Sequence, residues 1–228
     1  MGLKKEKPRL PEKNAKLVGH FEVKNEKQQE LINLIKKKEI VIASGPAGTG
    51  KTYVALATAL SMLGEVYKRI ILVKSVTTIP GEEIGFLKGS MEQKMEPFVM
   101  SYMWNIDKIC GVNSSQDLLN KRLLDVLPLA YIRGLSIDDS IVIIDESQNL
   151  DPHTFKSIIT RIGDNSKYIF LGDTEQVDRR KKNESCLQQV LDIFEGDKLI
   201  GTLQFTDEDC VRNPIIPKIL NKLRENGI

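Results

Sequence analysis

The sequence predicts an α/β fold with a mostly parallel central sheet and helices on both faces. Three observations carry that expectation. Short runs such as "EIVIAS", "RIILVKS", "IVIID" and "KYIFLGD" are apolar almost throughout, as strands covered on both faces are. Stretches with apolar residues at helical spacing stand between them, the alternation that builds an α/β layer structure. The first strand reaches the second through a Gly-rich turn and a helix, all within about 35 residues, which is the length of a right-handed βαβ unit.

The elements follow in order. Residues 1–16 carry six basic and two acidic side chains with two prolines and read as a mobile basic tail; residues 17–228 read as a single domain. "NEKQQELINLIKKK" places Leu31, Ile32, Leu34 and Ile35 on one helical face. "EIVIAS" is a strand. "KTYVALATALSML" is a helix apolar nearly all round, stopped by Gly64,. "RIILVKS" is the second strand. Between residues 80 and 130 the pattern is less regular: "GSMEQKMEPFVMSYMWNI" and "SSQDLLNKRLLDVL" read as helices divided by "CGVN", the second ended by Pro128. After the strand Ile141–Ile144, "DPHTFKSIITRIG" opens on an Asp cap with Pro at the first helical position and closes on Gly163,. "KYIFLGD" is a strand, "NESCLQQVLDIF" a helix, "KLIGTLQF" a strand and "NPIIPKILNKLREN" a last helix.

Bulk properties narrow the class. With 41% hydrophobic and 28% charged residues among 228, the chain has an ordinary globular composition. Its net charge is +2, and because the first 16 residues hold +4 the remainder is −2, so the body lacks the basic signature that would announce nucleic acid by itself. Cys110, Cys186 and Cys210 are scattered, with two histidines in all; this argues against a disulfide framework or a structural zinc site and suits a reducing cytosol. No apolar run approaches the ~20 residues a bilayer demands. The expected location is cytoplasmic, with no membrane partner.

Chemistry concentrates at three strand ends. "GPAGTGKT", residues 45–52, matches G-x-x-x-x-G-K-[ST] between a strand and a helix. Such a loop, Gly45, Pro46, Ala47, Gly48, Thr49, Gly50, Lys51 and Thr52, turns its N–H groups inward while the helix end adds positive potential, a cradle for phosphates. Lys51 then reaches the β- and γ-phosphates, and the Thr52 hydroxyl holds Mg²⁺. "IVIIDESQ" drives a buried strand into two adjacent carboxylates, a costly arrangement unless a positive species meets them. Asp145 answers as a partner of that Mg²⁺, through water. Glu146 is placed to polarise a water attacking the γ-phosphate; alternatively it is the first acid of the next helix. "FLGDTEQVD" ends a third strand with Gly172, Asp173 and Gln176, whose amide would sense the γ-phosphate. In "NEKQ", Gln28 can read an adenine edge through donor and acceptor together, and Asn25 with Gln28 also forms a capping box; the two roles are compatible.

Together "GPAGTGKT", "GEEIGFLKG", "LPLAYIRG", "IVIIDESQN", "LGDTEQVD" and "CVRNPIIPKIL" resemble the PhoH family of P-loop ATPases, in its short phage-type form, from about Phe21 to the end. The resemblance implies a RecA-like core related to superfamily-one helicases, ATP hydrolysis, ring-like homo-oligomers and action on RNA. It implies that Gln28, Gly45 to Thr52, Asp145, Glu146 and Gln176 keep the roles given above. It also implies that Arg212 in "CVRNP" completes the site from the C-terminal side; otherwise Arg212 is a capping or surface residue. Arg133 in "LAYIRG" would serve a neighbouring subunit's nucleotide or bind substrate.

The sequence also departs from the family pattern. Some relatives fuse a PIN-type nuclease, for which no room is seen here, so ribonuclease activity is not expected. Lys74-Ser75 stands where many relatives have Arg-Pro. "DRRKK", Asp178 to Lys182, is either solvated surface or a loop facing nucleic acid. Met91, Met95, Met100 and Met103, with Phe98 and Trp104, read as packing or a subunit interface before base stacking. Two functions are carried forward. One is an ATPase, with ATP and Mg²⁺, that remodels RNA or single-stranded DNA as a homo-oligomer. The other is a nucleotide-gated scaffold with slow hydrolysis and no nucleic-acid substrate.

Overall fold

The computed structural model describes residues 19, 21–74, 91–132, 134, 136–176, 185–212, 215, 219, 222 and 225, with residues 91–98 described in their backbone alone. Its frame is a sheet of six strands, β1 (Ile40–Ser44), β2 (Arg69–Lys74), β3 (Leu124–Pro128), β4 (Ser140–Asp145), β5 (Lys167–Gly172) and β6 (Ile200–Gln204). Every pairing is parallel, in the order β3-β2-β4-β5-β1-β6. The α/β, RecA-like architecture expected from the sequence is the one observed.

The unbroken apolar runs follow from burial on both faces. Val41, Ala43, Ile70, Leu72, Ile141, Ile143, Ile169 and Leu171 meet one helical layer. Their immediate neighbours Ile42, Ile71, Val73, Val142, Ile144, Tyr168 and Phe170 meet the other. This is the two-residue period of a strand, invisible in hydropathy because both faces are covered. Each such side chain taken fully out of water contributes about 1.5–3 kcal/mol before entropy is counted.

On the first face lie α1 (Glu26–Lys37), α2 (Lys51–Met62), α3 (Met91–Cys110) and α4 (Ser114–Asn120). Helix α2 is buried continuously from Val54 to Leu60, because α1 and α3 pack on it while it lies against the sheet; hence its apolar circumference. It stops at Leu63, followed by Gly64 at φ +85°. The short α5 (Leu129–Ile132), α6 (Pro152–Ile159) and α7 (Leu187–Ile193) complete the helices, with Ile132, Phe155, Ile158, Leu187, Val190 and Leu191 on the second face. Helix α6 begins as expected, Asp151 Oδ1 accepting from Thr154 N at 2.8 Å with Pro152 at the first position. Ile215, Ile219, Lys222 and Glu225 are helical, in line with the expected last helix.

One element differs. The helix expected over residues 114–127 ends at Asn120, Arg122 turns the chain through φ +56°, and Leu124–Pro128 becomes β3, an edge strand on β2. Short apolar runs do not distinguish helix from strand by spacing, and β2 offers an unpaired edge whose amides the run satisfies. Pro128 sits at its end, where the missing N–H costs no ladder bond. The basic tail, "GEEIGFLKG", Ser75, Arg133 and "DRRKK" lie outside the described residues, as do the side chains of Met91, Met95 and Phe98. Met100 and Trp104 are 60% and 83% exposed, so neither is buried among the described residues, which leaves a subunit interface as the half of that expectation open to them. Among the described residues, no helix is long and apolar enough to cross a membrane.

Candidate nucleotide-binding site

Register decides what meets at the carboxyl edge of the sheet. Ser44 pairs with Gly172 and with Gln204, and Lys74 pairs with Asp145. The segments leaving β1, β4 and β5 therefore open at one level, side by side, though more than 120 residues separate the first from the last. A cavity of about 480 Å³ lies there, lined by Gln28, Ala47, Gly48, Gly50, Lys51 and Thr52. Asp145, Glu146, Gly172, Asp173 and Gln176 also line it, and Arg212 does so beside Gly48. Of the residues expected to bind phosphate, Gly45 and Pro46 line an adjoining recess, and Thr49 is fully buried beneath the loop.

The loop's shape is held by protein bonds. Gly48 and Gly50 have φ of +93° and +83°, conformations that L side chains rarely adopt. A Cβ at Gly48 would come within 2.9 Å of Arg212 Cδ, and one at Gly50 within 2.8 Å of Gln28 Nε2. Gly45 N donates to Gly172 O at 3.2 Å, and Val211 N to Gly48 O at 3.0 Å. Lys51 Nζ donates to Gly45 O (2.5 Å), Pro46 O (2.9 Å) and Thr49 Oγ1 (3.2 Å). Burial holds the Lys51 ammonium below the usual lysine range, opposed by Asp173, Asp145 and Glu146. No side chain caps α2, so its first-turn N–H groups and positive end are left for an anion.

Gln28 serves both as cap partner and as clamp. Asn25 Oδ1 accepts from Gln28 N (2.8 Å), Gln28 Oε1 accepts from Lys24 N (2.9 Å), and its Nε2 donates to Thr49 O (3.0 Å). The amide lines the cavity with its oxygen and one N–H already engaged.

The two carboxylates at the end of β4 are held differently. Asp145 Oδ1 accepts from Thr52 Oγ1 (3.3 Å) and from Glu146 N (3.1 Å), while Oδ2 accepts from the Tyr102 hydroxyl (3.0 Å). Burial, then the charge of Glu146, raises the Asp145 carboxyl above the usual range, and Lys74 and Tyr102 oppose the shift. Glu146 sits at φ +58°, ψ +39°, a left-handed conformation costing a non-glycine residue about 1–3 kcal/mol. Gln148 fixes it. Its Nε2 donates to Glu146 Oε2 (2.8 Å), and its Oε1 accepts from Asp173 N (3.1 Å). Lys74 Nζ lies 3.9 Å from Glu146 Oε1, so a cation stands beside the second carboxylate. Gln148 and Tyr102 escape sequence reasoning. The first sits two residues past a recognised acid, a weak signal; the second is far away in sequence with no motif of its own.

The residues present fit Mg²⁺ delivered with a nucleotide. Thr52 and Asp145 offer one hydroxyl and one carboxylate side by side. Among the described residues no group of three His, Cys, Asp or Glu could hold a metal alone, so phosphate oxygens and water would complete the shell, as Mg²⁺ prefers.

Fold and site define a P-loop NTPase domain. The chain belongs to the PhoH family: the family model described as "PhoH-like protein" matches residues 20–224. It is 34% identical over 208 residues to the PhoH-like protein of Bacillus subtilis (strain 168), covering 91% of this chain and 65% of that one. It is 33% identical over 195 residues to the PhoH-like protein of Synechocystis (85% and 59% covered), and 31% over 201 residues to Protein PhoH of Escherichia coli K12 (87% and 56%). The chain thus spans between 56% and 65% of these relatives' length. Among solved structures, the Hef helicase domain of Pyrococcus furiosus matches with TM-score 0.49 at 11% identity, covering 79% of this chain and 37% of that one. The large terminase of bacteriophage D6E in complex with ADP matches with TM-score 0.49 at 14% identity (87% and 49%). Likeness at that level is too weak to carry function.

Proposed function

We propose that this chain is a Mg²⁺-dependent ATPase that couples hydrolysis to remodelling of RNA or single-stranded DNA as a cytoplasmic homo-oligomer. The observation that carries the catalytic part is the meeting of Lys51, Thr52, Asp145, Glu146 and Gln176 around one cavity, with Glu146 in a strained backbone clamped by Gln148. Bound Mg²⁺ supplies charge neutralisation at the β- and γ-phosphate oxygens. The loop N–H groups and Lys51 bind and orient the triphosphate. Asp145 and Thr52 hold the side from which the metal is bound. Glu146 polarises the water for in-line attack, and Gln176 and Arg212 face the γ-phosphate end, where Arg212 offers charge to the developing transition state.

The nucleic-acid part rests on the helicase-like Gly-Asp-x-x-Gln at the end of β5 and on the family resemblance. The scaffold reading is favoured by the body's net charge of −2. Steady-state ATPase with and without single-stranded RNA, at two salt concentrations, separates them. Stimulation that weakens with salt supports remodelling. Unstimulated, slow turnover with nucleotide-dependent change in mass supports the scaffold. Absence of any nucleotide uptake sinks both.

A further inference from the structure

Tyr102 belongs to none of the strand-end motifs, yet its hydroxyl touches the carboxylate that ends β4. It comes from α3, inserted in the crossover between β2 and β3. Its side chain is 2% exposed and packed in the same apolar cluster as Ile106 and Ile109, one and two turns further on. The ring is therefore fixed, and its hydroxyl meets Asp145 Oδ2 at 3.0 Å. Asp145 Oδ1 faces the opposite way, toward Thr52 Oγ1 at 3.3 Å. A carboxylate turns easily about its last torsion; with one oxygen anchored by Tyr102, the plane of the group is fixed and the other oxygen stays beside Thr52. The neighbours Ser101, Asn105 and Lys108 line the nucleotide cavity from the same helix, so α3 is a wall of the site.

We propose that Tyr102 is a positioning residue for Mg²⁺. It holds the plane of the Asp145 carboxylate so that the oxygen not bonded to Tyr102 faces the metal side of the cavity, and thereby makes α3 a determinant of metal affinity. The inference rests on the reading of this cavity as a Mg²⁺-nucleotide site. Outer partners of metal-side carboxylates are worth about tenfold or more in metal affinity.

The test is calorimetric titration of ADP into the full chain, with Mg²⁺ and with EDTA, for the wild type, Y102F, D145N and the double variant. The quantity read is the ratio of the two Kd values, the gain in affinity that Mg²⁺ confers. Tyr102→Phe keeps the buried ring and deletes the donor, so the gain should shrink by about tenfold. Adding Y102F to D145N should change the gain no further. A purely structural Tyr102 would shift melting temperature or weaken ADP equally with and without metal, and an unmoved ratio in Y102F overturns the proposal. If D145N abolishes the gain while Y102F retains it in full, Tyr102 is excluded and the site reading survives. If the wild type binds no ADP, or gains nothing from Mg²⁺, the site reading falls and takes the proposal with it.

Discussion

Replacing Gln148 by methionine keeps an unbranched side chain of similar length and deletes two hydrogen bonds with different consequences. One is the bond accepted from Asp173 N at 3.1 Å. Asp173 is buried, and an amide left without a partner there costs about 1–3 kcal/mol. The other is the bond to Glu146 Oε2 at 2.8 Å. The Glu146 side chain is 40% exposed, so after solvent screening that bond adds about 0–1 kcal/mol to stability. The expected loss is therefore about 1–4 kcal/mol, dominated by Asp173, and readable as a lower urea midpoint with unchanged slope. The kinetic consequence comes from the weaker bond. Without Gln148 the Glu146 side chain is no longer aimed, and misplacement of a reacting group by about 1 Å costs on the order of 10²-fold. Steady-state ATPase should show kcat reduced by about that factor, with KM little changed because Lys51 and the phosphate loop are untouched. A variant that loses stability but turns over at the wild-type rate refutes the reasoning: Gln148 would then brace β5 without positioning the base.

Lys51→Ala should weaken nucleotide binding, whereas Glu146→Gln should retain bound ATP with turnover nearly abolished; normal hydrolysis by Glu146→Gln removes Glu146 from the base role. Arg212 lines its own chain's cavity beside Gly48, so Arg212→Ala should lower kcat more than affinity, and mixing it with Glu146→Gln chains should not restore activity; restoration places the arginine in trans. Lys167, nearly buried with its ammonium donating to Lys38 O, has its pKa pushed down to about 8 by burial. Between that value and the unfolded lysine value the unfolded chain binds more protons, so this group makes stability rise with pH from about 8 upward. Urea midpoints measured across that window should climb for the wild type and climb less for Lys167→Met.

What could be read from sequence was local. The phosphate loop, the paired acids and the Gly-Asp-x-x-Gln end each announce themselves within eight residues, because the geometry they impose is set by adjacent backbone. Asn25 and Asp151 capped their helices as expected for the same reason. What failed depended on partners far along the chain. "LDVLP" is a strand because β2 has a free edge, not because its own spacing excludes a helix. Tyr102 carries no motif of its own, and its hydroxyl meets Asp145 only because the fold brings α3 to the end of β4. Met100 and Trp104 carry core-like chemistry on an outward face, and hydropathy has no term for which side of a helix the sheet occupies.

The way the three strand ends are joined says more than their convergence does. Glu146 is tied through Gln148 to the backbone of Asp173, and Gly172, just before it, accepts from the first residue of the phosphate loop. A Cβ at Gly172 would lie 2.6 Å from Leu187 Cδ2 and 2.9 Å from both the Gln148 backbone N and its Oε1, so the bridge fits only beside a residue with no side chain. The phosphate loop and Glu146 are therefore joined by a short chain of hydrogen bonds across the end of β5. Gly172→Ala breaks that path: the β-carbon must displace the Gln148 side chain and Leu187, releasing Glu146 while Lys51 and Thr52 keep their side chains. Its signature should be a fall in kcat resembling that of Gln148→Met, with ADP affinity retained. An alanine variant that hydrolyses normally would mean that the loop and the base are set independently, each by its own strand.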